Sequence, residues 1–136
     1  MKNIAFIILI TLGFSCSSVK QNSSEPMIQL TKKRCLGKCP VYDVFMYSDG
    51  LVSYNGIDNV KKIGRHQFKI SEGKMLELQQ LFTNAKFQEI ENPEKKGRDL
   101  PLTQVSYKNK TISYQGQNIS EDVKGIVSRI EELVGI

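Results

Sequence analysis

Two cysteines stand four residues apart in Arg34-Cys35-Leu36-Gly37-Lys38-Cys39-Pro40-Val41-Tyr42. In an extended strand they would share a face yet lie about 13 Å apart, at about 3.3 Å per residue. A disulfide needs Cα atoms within about 7 Å. A bond between them therefore forces the chain to turn, and Gly37 at the centre permits it. Pro40 can then open the next strand, at a position that tolerates a missing N–H. A bonded pair would thus fix the entry angle of the strand that starts at Val41. Its effect on the unfolded chain is modest, about 2 kcal/mol for so short a loop.

The third cysteine, Cys16, leaves an odd count, which asks for an explanation in any exported protein. The segment before it supplies one. Met1-Lys2-Asn3 is short and basic, residues 4–12 are almost uninterruptedly apolar, and Gly13-Phe14-Ser15 leads into Cys16. This is the layout of a secretory signal. The apolar run is too short for a comfortable span, which takes about 20 residues. Its end resembles the lipobox of bacterial lipoproteins, whose cysteine becomes the first residue and carries lipid. Leu12 lies four residues before Cys16 rather than three, and Phe14 stands where a small residue is common. Residues 1–15 are expected to be the signal peptide, and Cys16 the lipidated residue. Two or more acyl chains anchor stably where one only tethers. Residues 16–26 read as a flexible tether, since 17–26 hold one apolar residue, Val19. They lack an acidic cluster after the cysteine, so the expected address is the outer membrane, facing the periplasm. Removing residues 1–15 takes away one Lys and leaves 18 positive and 14 negative side chains.

Residues 27–136 are long enough for one domain with its own core. Residues 27–32 alternate imperfectly and suggest a strand. Residues 41–47 are β-branched and aromatic, and Asp49-Gly50 separates them from Leu51-Val52-Ser53-Tyr54, a hairpin signal. Asn55-Gly56 reads as a second turn. An extended piece at 59–63 and a strand over 65–70 follow. Ser71 is a candidate N-cap for a helix whose face is Met75, Leu78, Phe82 and Ala85, widened by Leu76 and Leu81. A polar loop covers 91–99. Residues 102–108 and 111–115 form a hairpin about Asn109-Lys110. Ser120 caps a last helix with Val123, Ile126, Val127, Ile130, Leu133 and Val134 along one stripe. The order ββββαββα groups strands into hairpins, so the fold class is α+β. About six antiparallel strands would carry two helices on one face.

Exported thiols oxidise by default, which favours a structural Cys35–Cys39 disulfide. Two alternatives compete. Cys-x-x-x-Cys-Pro also resembles the copper site of thioredoxin-fold proteins that deliver copper to cytochrome oxidase. Two thiolates with a histidine suit Cu(I), and His66 is the one histidine. Arg34 and Lys38 would lower a thiol pKa in a redox pair, although the usual redox spacing is Cys-x-x-Cys.

The motif Cys35-x-Gly37-x-Cys39-Pro40-x-Tyr42, with Asp49-Gly50, Tyr54-x-Gly56, Gly64 and Asp99-Leu100-Pro101-x-Thr103, resembles a family of small bacterial lipoprotein domains. That family is uncharacterised and Bacteroidota-type. The resemblance covers residues 28–134. It implies an exported domain with a paired Cys loop and brings no activity or ligand. Leu36 and Lys38 stand where an aromatic residue and a Thr or Ser are expected.

No catalytic set emerges. Gly-x-Ser-x-Gly is absent, no spacing pairs the carboxylates, and metal-ligand spacing ends at the two cysteines. Gly37, Gly50, Gly56 and Gly64 are assigned to turns. The tyrosines at 42, 47, 54, 107 and 114 are assigned to sheet packing. No cofactor is expected. Basic clusters at Lys32-Lys33-Arg34-Lys38, Lys61-Lys62-Arg65 and Lys95-Lys96-Arg98 are first of all solvated faces. Their functional reading is contact with anionic lipid or polysaccharide. The expected partners are therefore the membrane, through the anchor, and an envelope protein or polysaccharide. Nucleic acid is not expected. The function expected is that of a binding or accessory module rather than an enzyme, with a thiol-redox or Cu(I) protein as the alternative.

Overall fold

A computed structural model describes residues 25–94, 97 and 99–136. The expected signal peptide, Cys16 and the tether up to residue 24 lie outside the described residues. So do Lys95, Lys96 and Arg98 of the third basic cluster. The elements are β1 (Ile28–Lys32), β2 (Val41–Met46), β3 (Leu51–Asp58), β4 (Gly64–Lys69), α1 (Glu72–Asn84), β5 (Leu102–Tyr107), β6 (Lys110–Gln115) and α2 (Glu121–Val134). A single 3-10 turn, Phe87–Glu89, follows α1. The α+β class and the ββββαββα order are as the sequence implies.

All six strands form one antiparallel sheet in the order β4-β3-β2-β1-β5-β6. The first hairpin closes where Asp49-Gly50 predicts. Gly50 N donates to the Tyr47 carbonyl at 3.0 Å and Tyr47 N to the Leu51 carbonyl at 2.9 Å. Gly50 takes φ 82°, the left-handed step that this three-residue turn needs. Ser71 caps α1, its hydroxyl accepting from Lys74 N at 3.4 Å.

Because side chains alternate across a pleated sheet, the register sorts the inward residues into three cross-strand rows. One row holds Phe68, Val52, Met46, Ile28 and Tyr107. The next holds His66, Tyr54, Val44, Leu30, Val105 and Ile112. The third, beside the Cys loop, holds Gly64, Gly56, Tyr42, Lys32, Thr103 and Tyr114. The first two rows are mainly apolar, and with both helix stripes they form the core. The outward face is polar, with Thr31 donating to Asp43 at 2.8 Å and Gln104 to Ser113 at 3.1 Å.

Helix α1 buries Met75, Leu78 and Phe82. Phe82 stacks on Tyr107 at 4.4 Å between ring centres and meets Phe87 edge-on at 4.9 Å. Helix α2 runs from the β6 side, where Lys124 borders Tyr114, to the β3–β4 turn, where Lys62 Nζ donates to the Val134 carbonyl at 3.3 Å. Arg129 joins the helices through two 2.9 Å bonds to Glu77.

Several expectations change. Asn55-Gly56 is not a turn. β3 runs through it to Asp58, and the reversal falls in residues 59–63. A Cβ on Gly56 would sit 1.8 Å from the Lys62 carbonyl oxygen. The glycine is there so that this turn can fold down onto the sheet. The β5–β6 turn uses Lys108-Asn109, one residue earlier than expected, with Lys108 at φ 54°. Leu76 does not widen the buried face, because it points off the Met75–Leu78–Phe82 line and is 51% exposed. Tyr47 lies just past the end of β2, and the other four tyrosines are buried.

Candidate functional site

The third row is the anomaly of the sheet. A half-buried lysine occupies the inward position that follows Ile28 and Leu30 on β1, and a buried charge needs a partner. Lys32 finds it in Glu131 of α2, one helical turn after Val127 on the packed stripe. Lys32 Nζ lies 2.5 Å from Glu131 Oε1. The same oxygen accepts a short hydrogen bond from the Tyr42 hydroxyl. Lys32 Nζ also stands 5.8 Å from the centre of the Tyr42 ring, a favourable place for a cation. Tyr42, with its ring buried, is thus a clamp on Glu131 rather than a free donor.

Burial pushes the Tyr42 phenol far above its ordinary value, and its hydrogen bond to Glu131 and that carboxylate's charge push the same way. Burial also raises Tyr114, helped by the Glu131 charge and opposed by a hydrogen bond with Thr103. Both phenols therefore keep their protons at neutral pH.

Two clefts flank this knot. One, of about 380 Å³, opens among Lys32, Pro101, Thr103, Tyr114, Lys124 and Ser128. The other, of about 240 Å³, opens among Tyr42, Asn59, Val60, Lys61 and Ile136. Pro40 and Glu131 line both and form the wall between them. The cleft walls offer hydroxyl, ammonium and carboxylate groups at once, which suits a ligand with several polar groups.

The Cys loop rises beside that wall. Cys35 and Cys39 are disulfide-bonded, with Cα atoms 5.9 Å apart, so the segment turns as the spacing requires. Gly37 N–H points at Cys35 Sγ, 3.2 Å away. Arg34 reaches Asp58 at 2.7 Å and Asn59 Nδ2 donates to the Cys39 carbonyl at 3.3 Å. These two bonds brace the loop against the β3–β4 turn. Lys33 N bonds the Leu102 carbonyl at 2.9 Å and carries the β1–β5 pairing to the foot of the loop.

The structure thus brings Pro40 of the Cys motif into one cleft with Pro101 and Thr103 of the second motif, while Tyr42 lines the other cleft. Asp99 is exposed in the bend before Leu100. His66 lies on β4 opposite Tyr54, their rings stacked at 6.0 Å, with Nε2 3.1 Å from the Ile63 carbonyl. Among the described residues, no group of three or more His, Cys, Asp and Glu is placed to hold a metal ion. His66 accordingly does not join Cys35 and Cys39. Lys32, Tyr114, Lys124 and Glu131 were not singled out for this site by sequence. The available signal was parity: Lys32 falls in step with Ile28 and Leu30, and Glu131 in step with Val127.

No curated protein matches the chain. A family model described as a domain of unknown function (DUF6438) matches residues 26–134. With that match spanning most of its length, and the Cys loop and second motif meeting at one cleft wall, the chain belongs to the DUF6438 family.

Proposed function

We propose that the protein is an exported, lipid-anchored module of the bacterial cell envelope that works by binding. Cys16 carries the lipid, the domain hangs from the outer membrane on residues 16–26, and it faces the periplasm. The binding element is the pair of clefts about Pro40 and Glu131, and the partner is an envelope protein or polysaccharide. The observation that carries this reading is that Pro40 of the Cys motif meets Pro101 and Thr103 of the distant second motif in one cleft and Tyr42 in the other. The basic, apolar and small-residue succession before Cys16 supports the address. Binding is favoured over catalysis because the Tyr42 hydroxyl and the Lys32 ammonium both hold one oxygen of Glu131, an arrangement that fixes a surface.

The anchor is tested by Cys16→Ser, which should release the protein from membranes and end palmitate labelling. A variant that stays membrane-bound, with no label in the wild type, overturns it. The Cys loop is tested by the mass of the protein under non-reducing conditions. A loss of two hydrogens that survives mild reductant supports a structural bridge. Free thiols that bind Cu(I), with binding lost in Cys35→Ser, would move the function to copper or thiol chemistry at Cys35 and Cys39.

A further inference from the structure

Five large apolar side chains stand exposed among the described residues, and four of them sit at one end of the sheet. Leu36, at the tip of the Cys loop, is 81% exposed, and Ile63, in the β3–β4 turn, is 61% exposed. Ile57 is the last residue but one of β3, and Leu100 precedes β5. The fifth, Leu76, borders the β2–β3 turn at the opposite end. The Leu36 and Ile63 loops are tied together by the Arg34–Asp58 and Asn59–Cys39 bonds and stiffened by the disulfide. Ordering them against a surface therefore costs little further entropy. Lys33, Lys38, Lys61 and Arg65 are exposed around them. Near the Cys loop and the β3–β4 turn the acidic side chains are Asp58, already held by Arg34, exposed Asp99, and Glu131, held by Lys32, while Glu121, paired with Lys124, and exposed Asp122 lie on the β6 side, at the start of α2.

We infer that this end of the domain docks on the anionic surface of a lipid bilayer, with Leu36 and Ile63 entering the headgroup boundary. A protein partner fits the patch less well. Protein interfaces are poor in Lys and anchored by aromatic side chains in pockets. Here the rim is lysine-rich, and the projecting groups are aliphatic tips on separate loops. A bilayer takes aliphatic side chains at shallow depth, while Lys stems stretch to place ammonium groups among phosphates. The attraction acts within about one Debye length, roughly 8–10 Å. The inference deepens the lipid-anchored reading and rests on it only for keeping the domain near a membrane. Ile28 opens β1 at the far end of the sheet, about 17 Å away for five residues. The chain between Cys16 and Ile28 reaches at most about 40 Å, enough for the tip to return to the membrane that holds the anchor.

The chain contains no Trp, so Leu36→Trp gives a sole indole reporter at an exposed position. The full chain carrying it is reconstituted with vesicles of phosphatidylcholine, alone or mixed with phosphatidylglycerol. Emission should move to shorter wavelength, and acyl-brominated lipid should quench it, in the mixed vesicles only. Both changes should shrink at high salt and disappear when Lys33, Lys38 and Lys61 are changed to Glu in the same background. Leu76→Trp should not respond. The inference is overturned if the two reporters respond alike, or if Leu36→Trp is indifferent to phosphatidylglycerol. It is also overturned if the charge reversal leaves the shift intact, or if envelope protein rather than lipid produces it. Flotation of the wild type with the neutral vesicles reads the anchor separately. Protein that does not float there refutes the lipid at Cys16, while the Leu36→Trp response at excess anionic vesicles still decides the tip.

Discussion

The two ends of the sheet are made of the same strands and differ in every other respect. Toward the Asp49-Gly50 turn the inward rows are filled by Ile28, Met46, Val52 and Tyr107, and α1 closes over them with Phe82. Toward the Cys loop, the third row along the same strands brings Lys32, Tyr42, Thr103 and two glycines. There α2 meets them with a carboxylate. The apolar end gains its stability from area removed from water, which is tolerant of direction. The polar end depends on a few groups that must each find a partner. This division explains why the clefts and both motifs gather at one end: a cleft wall of committed polar groups can meet a ligand without exposing the core.

The comparison can be broken most severely at the apolar end. Phe82→Ala removes a ring that stacks on Tyr107 and meets Phe87. It should cost about 3–5 kcal/mol of unfolding free energy in urea titration. A loss below about 1 kcal/mol would mean that the aromatic cluster is not the centre of the fold. At the polar end, Tyr42→Phe keeps the ring and deletes the donor to Glu131. The expected cost is about 1.5–3 kcal/mol, the range for a hydrogen bond to a charged group. Lys32→Met paired with it in a double-mutant cycle should show coupling, whereas strict additivity would mean that the knot is three independent contacts. Gly56→Ala drives a methyl into the Lys62 carbonyl and the Tyr54 hydroxyl. It should cost about 1–3 kcal/mol as an overpacked site, with hydrogen exchange accelerated in residues 59–63 and unchanged at Asp49-Gly50.

The smallest effect separates the two ends by pH. Asp49 beside the apolar end is held below the usual carboxylate range by the Leu51 N–H and then by Lys69. Glu77 on α1 is lowered by its bonds to Arg129. A lowered acid stabilises the fold above its unfolded value and loses that contribution as pH falls, so these two weaken the protein in acid. Tyr42 and Tyr114 are raised, and they stabilise below the ordinary phenol value of about 10. Their contribution is lost as pH climbs through the folded values. Denaturant midpoints against pH should therefore fall at both extremes. Tyr42→Phe should flatten only the alkaline limb, and an acid limb changed by that variant would join the two ends electrostatically.

The elements were legible because their signals are local. The 41–54 hairpin shows itself through β-branched and aromatic runs around Asp-Gly, and both helices through their stripes and the serines at their N-cap positions, of which Ser71 makes the capping bond and Ser120 does not. Asn55-Gly56 misled because a glycine that admits a neighbouring carbonyl has the same letter as one that turns the chain. The Cys loop could be anticipated, since the distance between two cysteines four apart is a local quantity. The Glu131 knot could not. Tyr42 and Glu131 are 89 residues apart, and their meeting depends on the register of six strands and the path of α2, which no short window contains.

The strand order also sets a schedule. β1 is the first of the described strands to be made, yet it lies in the interior of the sheet between β2 and β5. The β1–β4 meander can assemble as soon as its hairpins exist, but β5 joins only after α1 and the following loop have been made. Until then, β1 presents an unpaired edge with Ile28 and Leu30 on one of its faces, a template for pairing with another chain. Contacts of such long sequence separation form late. The arrival of the β5–β6 hairpin is therefore the step that removes the aggregation hazard, and a chain shortened after α1 would keep that edge open.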